Sequence, residues 1–105
     1  MDNEQSSLQR IITGERLLAI VRCLWKAPDH CANEEVISAY LRRLALYGWW
    51  STTRTALDHL ERLHALTITM HQTLMIAELT RRGADAAEGH VELDGVPKPG
   101  PECAY

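Results

Sequence analysis

The feature that most limits the fold is a change of hydrophobic period just after residue 64. From Ser51 to His64 the apolar side chains recur at helical spacing. Wound at about 100° per residue, Ala56, Leu57, Leu60, Leu63 and His64 fall on one side, which is expected to face a core. Leu66-Thr67-Ile68-Thr69-Met70 then alternates apolar and polar, as a half-buried strand does, and Leu74 to Leu79 reads as a second strand after the polar link His71-Gln72-Thr73. Two strands this short, joined by so few residues, form a hairpin.

Upstream, Leu17, Leu18, Val21, Leu24 and Trp25 make one stripe of a first core helix beginning at Glu15. It is expected to stop near Ala27, because Pro28 disfavours helical geometry in the residue before it. Residues 1–14 read as an N-terminal arm, in which Leu8, Ile11 and Ile12 suffice for a short helical turn and Gly14 interrupts. Pro28 to Ala32 is a connecting loop. Asn33 caps a second helix with Glu34 and Glu35 in its first turn, near the positive end of the dipole. Val36, Ile37, Tyr40, Leu41 and Leu44 give that helix its apolar face, and Arg42 and Arg43 complement the dipole at its C-terminal end.

Gly48 is expected to take a positive φ as a C-terminal cap. Of the tandem Trp49 and Trp50, one is expected to plug the junction between the second and third helices. Ser51 is the expected N-cap of the third. After the hairpin, Thr80 caps a last helix from Arg81 to Glu88 that Gly89 terminates. From His90 the chain is too rich in Pro and Gly for helix or central strand, and reads as a loose tail or an extended arm across the body. Val91, Leu93 and Val96 are available to pack, and disorder is expected beyond Pro99.

This element order predicts a mainly α fold with a small β-hairpin, a winged helix-turn-helix. Its divisions are an N-terminal arm (1–14), the winged-helix domain (15–89) and a Pro/Gly-rich tail (90–105). The run Leu79-Thr80-Arg81-Arg82-Gly83-Ala84-Asp85-Ala86-Ala87-Glu88-Gly89, followed by Gly95-Val96-Pro97-Lys98-Pro99, resembles small winged-helix proteins encoded by Mu-like phages and prophages. Asn33-Glu34, and Gly48 ahead of the third helix, belong to the same resemblance, which extends from about Glu15 to Pro101. It implies the fold and, by analogy of fold, a transcriptional regulator. A place among head and DNA-packaging proteins is the rival, and no residue-level function carries over.

A chain of 105 residues suits one domain with a modest core. No apolar run approaches the roughly 18 residues of a membrane span, and the acidic, polar start is unlike a signal peptide, so the expected location is the cytoplasm of a bacterial host. Cys23, Cys31 and Cys103 form no CxxC pair and suit neither a disulfide framework nor a zinc site. His30, His59, His64, His71 and His90 fall on separate elements with no catalytic spacing and no Gly-rich phosphate loop, so neither an enzyme, a metal nor a cofactor is expected.

The net charge of -3 does not advertise a nucleic-acid partner, but its distribution is uneven. Between Arg42 and Arg82 six arginines face three carboxylates, a local +3 that leaves -6 for the remainder. The exposed side of the third helix carries Thr55, Asp58 and Arg62, with Arg54 and His59 at its flanks. An arginine there can fork two hydrogen bonds to guanine, and a threonine can meet a thymine methyl or a phosphate.

The expected partner is therefore double-stranded DNA, bound by a homodimer that places Thr52 to Arg62 in the major groove. Arg54 and Arg62 are the expected base or phosphate contacts, with Thr52, Thr53 and Thr55 secondary. Asp58 would repel phosphate and serve only by accepting from a cytosine amine; His59 sits at the edge. Arg42, Arg43, Arg81 and Arg82 are expected to position the backbone. Arg81 and Arg82 oppose the dipole of the last helix, which calls for a partner, a phosphate or Glu78. The hairpin tip has no Lys or Arg and is not expected to contact DNA. The alternative is a protein-interaction module in phage assembly or DNA packaging, with a phage protein as partner and the acidic body as the working surface.

Overall fold

The computed structural model describes residues 3–105, apart from the side chains of residues 3–5 and Trp50. A long helix α1 (Asn3–Lys26) leads through a 3-10 turn (Pro28–His30) to strand β1 (Cys31–Asn33) and helix α2 (Glu34–Arg43). Helix α3 (Trp50–Arg62), strands β2 (Leu66–His71) and β3 (Leu74–Leu79) and helix α4 (Arg81–Ala87) follow. The sheet is three-stranded and antiparallel, in the order β1-β3-β2. Among the described residues no helix is long and apolar enough to cross a membrane.

The helices meet on the faces their periodicity predicts. Ile20 and Leu24 of α1, Ile37 and Leu41 of α2, Leu57 and Leu60 of α3 and Leu66 of β2 are fully buried, each contributing roughly 1.5–3 kcal/mol. On β3 the buried residues are Met75, Ala77 and Leu79, the period-2 face turned to the helices. Two residues of the expected apolar faces are exceptions, Val36, which is 53% exposed on α2, and His64. His64 is exposed, and with φ 63° it ends α3 in the left-handed region instead of packing under it.

Four local expectations are corrected. Gly14 does not interrupt a helix; α1 runs straight through it, and its lack of a side chain admits the tail, since a Cβ there would lie 3.2 Å from Pro97 Cδ. Cys31 and Ala32, expected as loop, form with Asn33 an edge strand paired with residues 76–78 of β3. Three residues are too few to show alternation, so only the partner strand reveals them. Ala45, not Gly48, takes the left-handed position after α2 (φ 61°).

The start of α3 is the fourth. Trp49, not Ser51, stands at the N-cap, and Thr52 Oγ1 accepts from the Trp49 N–H at 2.9 Å. Gly48 is needed for clearance, because a Cβ on it would come 2.7 Å from that same Oγ1. Asn33 and Thr80 cap α2 and α4 as expected: Asn33 Oδ1 accepts from the Glu35 and Val36 amides, and Thr80 Oγ1 from that of Gly83. Gly83 itself lies against the Ala65 carbonyl, where any side chain would collide with backbone.

Residues beyond Pro99 fold back onto the body instead of trailing. Leu93 is buried, Val91, Val96, Cys103 and Tyr105 pack against the core, and Gly95 (φ 79°) turns the chain between Leu93 and Val96. Arg22 of α1 donates to the carbonyls of Ala87 (2.8 Å) and Tyr105 (3.2 Å), while the Tyr105 hydroxyl donates to Glu15 (2.8 Å).

Two polar contacts fix how α2 and α3 sit. The buried hydroxyls of Ser38 and Thr53 are hydrogen-bonded at 2.7 Å across the helix pair. Glu34, at the start of α2, receives the Arg54 guanidinium in a fork (Nε to Oε1 and Nη2 to Oε2, both 2.6 Å) and the Met75 N–H on Oε2 at 2.8 Å. Arg54 Nη2 also donates to the Thr73 carbonyl at the hairpin turn, at 2.6 Å. The Arg54 hydrogen bonds hold the Glu34 carboxyl below the ordinary range, against the opposing effect of burial.

Replacing Thr53 by Val keeps the shape and leaves the Ser38 hydroxyl buried without a partner. Chemical denaturation should show a loss of about 1–3 kcal/mol, much of it recovered when Ser38→Ala is added. The depressed Glu34 pKa gives a stability increment present above the unfolded carboxylate value near 4.3 and lost as pH falls through the lower folded one. Denaturation series in acid should therefore show a shallower fall with pH for Glu34→Gln than for the parent, and equal slopes would exclude this pair as a source of acid sensitivity.

Candidate functional site

Helix α3 has two polar sides with different fates. The side bearing Thr53 and Arg54 turns toward α2 and the hairpin. The other bears Ser51, Thr55, His59 and Arg62, which at about 100° per residue lie within roughly 80° of arc. This second side forms one wall of a cleft of about 710 Å³ whose opposite wall is the N-terminal half of α1. From α1 come Ser6, Gln9, Arg10, Thr13 and Arg16, again a single helical stripe. Leu17, Ala56 and Gly14 line its deeper part, and Gly95 of the folded-back tail lies at the edge, close to His59.

The electrostatics of this cleft oppose those of the chain. Three arginines (Arg10, Arg16, Arg62) and His59 line it, and no carboxylate does among the described lining residues, although acidic residues outnumber basic ones 14 to 11 overall. Arg16 spends its Nε on the Leu46 carbonyl at 2.6 Å, and partial burial lowers its pKa from the ordinary value. Arg10 and Arg62 are exposed, and neither makes a side-chain hydrogen bond or ion pair among the described residues. Five hydroxyl side chains, Ser6, Thr13, Ser51, Thr52 and Thr55, interleave with the cations. Such a surface suits an extended polyanion.

Of the residues expected to meet a ligand, the cleft gathers Thr52, Thr55, His59 and Arg62. Thr53 is excluded: it is 1% exposed and committed to Ser38, because its position on α3 faces α2. Arg54 is also withdrawn, its guanidinium occupied by Glu34 and the Thr73 carbonyl. Asp58 is exposed outside the cleft lining, on the arc between Arg54 and Arg62.

The remaining arginines lie outside the cleft as well. Arg42 stacks over the Tyr47 ring (4.4 Å to its centre), and Arg43 is exposed at the end of α2. Arg82 Nε donates to the Leu63 carbonyl at 3.0 Å, so its partner is the C-terminal end of α3, neither Glu78 nor a phosphate being needed to explain it. Arg81 is exposed. Trp49 is 80% exposed at the N-terminus of α3 and plugs no junction; the role expected of Trp50 falls outside the described side chains.

Sequence reasoning missed the α1 wall entirely. Its signal was the polar stripe Ser6, Gln9/Arg10 and Thr13, continuous with the helix only once Gly14 is recognised as helical. One other cluster stands apart from the cleft: Asp85, Glu88 and His90 bring donor atoms within 4.8 Å of one another. Glu88 is there engaged by Trp25 Nε1 (3.3 Å) and lies 3.5 Å from His90 Nδ1.

No family model matches the chain, and no solved structure matches it. It is similar to "Uncharacterized protein gp26" of Escherichia phage Mu, with 30% identity over 93 residues that cover 89% of this chain and 96% of the phage protein. A likeness of that extent covers most of both chains, and by it this chain belongs to the family of that Mu protein.

Proposed function

We propose that the chain is a winged-helix protein of a Mu-like phage or prophage that binds double-stranded DNA as a transcriptional regulator in the host cytoplasm. The element order α1-β1-α2-α3-β2-β3, with β1 at the sheet edge beside β3, supports the winged helix-turn-helix assignment. The observation that carries the function is the cationic cleft along the outward side of α3, lined by no carboxylate among the described residues and set in an otherwise acidic protein. In this reading α3 enters the major groove with Thr55, His59 and Arg62 toward base edges and backbone. Arg43 and Arg81 are available to flanking phosphates. Arg54 acts only indirectly, by holding the helix against the hairpin.

The second reading is a protein-interaction module in assembly or packaging. It is favoured by Trp49 and by Leu8 and Ile11 of α1, large apolar side chains that stand exposed. Scattered exposed hydrophobics are ordinary on soluble proteins, whereas a charge reversal confined to one cleft is not, so DNA binding leads.

The test is a band-shift titration of the whole chain against random-sequence duplex, followed by the duplex species it enriches. Binding should be present at about 50 mM salt and fall steeply toward 200 mM. Arg62→Ala should lose about 1–3 kcal/mol of discrimination if the guanidinium forks onto guanine, and should weaken all sequences alike if it meets phosphate. Absence of any shift at low salt would sink the DNA reading and leave the assembly role.

A further inference from the structure

We infer that the N-terminal half of α1 is a second DNA-contacting element, with Arg10 seated on the phosphate strand that borders the groove occupied by α3. This rests on the duplex-binding reading above and adds to it a contact surface upstream of the core helix.

An α-helix with its side chains is about 10–12 Å across, and the major groove is about 12 Å wide. One helix fills it. Yet the outward side of α3 does not stand alone: it shares the cleft with α1, whose Ser6, Arg10 and Thr13 face the same space as Thr55 and Arg62. When α3 lies in the groove, α1 has no room beside it there. Its place is over the sugar-phosphate strand at the groove's edge.

The chemistry of α1 fits that place. Toward the cleft its described residues present two guanidiniums, two hydroxyls and an amide, and no carboxylate. These are groups that bond phosphate oxygens without reading sequence. Arg10 is exposed and free of protein partners among the described residues, so it needs no rearrangement to engage. Arg16 lies six residues further along the helix, about 9 Å by the helical rise, a distance that spans two to three nucleotides of one strand. Its Nε is already held by Leu46, which fixes the angle at which α1 leaves the body. The tail holds the same helix at the edge of the cleft, with Pro97 packed on Gly14.

The prediction is read from salt dependence. With the whole chain and a random-sequence duplex pool, Arg10→Ala should weaken binding about 3- to 10-fold alike on all sequences. It should also reduce the slope of log affinity against log salt by about 0.9, the signature of one lost phosphate contact. Arg10→Glu should weaken binding further, Arg10→Lys should restore most of it, and all three should keep the parent's thermal unfolding midpoint. If Arg62→Ala weakens binding while Arg10→Glu matches the parent in affinity and slope, the α1 contact is overturned and the duplex reading stands. If the parent binds no duplex at low salt, or prefers single strands in the same titration, both fall.

Discussion

Glu34 stands where the chain leaves β1 for α2, and its carboxylate does there what a backbone carbonyl would do if the strand went on. Asn33 is the last residue of β1 to pair with β3, opposite Ile76. The next amide on β3, that of Met75, would face open space, but Glu34 Oε2 takes it at 2.8 Å. The same carboxylate holds Arg54 of α3 in a fork, and Arg54 reaches on to the Thr73 carbonyl at the hairpin turn. One anion thus joins the edge strand, the first turn of α2, the middle of α3 and the hairpin. The rotation of α3 about its own axis follows from it. With Arg54 turned inward to this anion, the side bearing Thr55, His59 and Arg62 turns outward to the cleft.

The folded-back tail constrains the opposite wall. Arg22 binds the last carbonyl of α4 and that of Tyr105, so one side chain of α1 collects two C-terminal segments. Burial together with the hydrogen bond to Glu15 pushes the Tyr105 hydroxyl up to about 12, which keeps it a neutral donor across the physiological range. Gly14 and Gly83 do comparable work at two helix surfaces. Each lets a neighbouring backbone approach where a methyl group would intrude, Gly95 to Pro97 in one case and Ala65 in the other.

The parts of the fold legible in the sequence are those where one element dictates its own pattern. The stripes Leu17 to Leu24 and Ile37 to Leu44, the alternation of Leu66 to Met70, and the Asn33 and Thr80 caps all rest on residues within a turn or two of one another. What stayed hidden depends on partners distant in the chain. Gly14 reads as a helix breaker because glycine is a poor helix former, but the close approach of Pro97 is invisible locally. Thr53 and Arg54 read as surface residues because polar side chains on a helix usually are. Ser38, fifteen residues away, takes Thr53 into the interior, and Glu34, twenty away, ties down a partly exposed Arg54. The cleft was half legible for the same reason: the α3 wall shows as a helical stripe, whereas the α1 wall matters only through its position beside α3.

That the chain is acidic bears on how such a cleft would work. A uniformly basic domain adheres to any duplex in any orientation, while this chain is acidic overall and gathers Arg10, Arg16 and Arg62 along the space between α1 and α3. On the duplex reading proposed above, encounters that present the acidic body would be turned away and those that present Arg10, Arg16 and Arg62 retained, so charge would select orientation more than add affinity. Asp58, on the arc between Arg62 and the Arg54 side, extends the same logic onto α3 itself. On that reading a carboxylate there would penalise any docking that rolls the helix toward the hairpin, and would leave contacts by Thr55, His59 and Arg62 undisturbed. A neutral hairpin tip would then need no phosphate contact of its own, because the N-terminal half of α1 would supply the second wall.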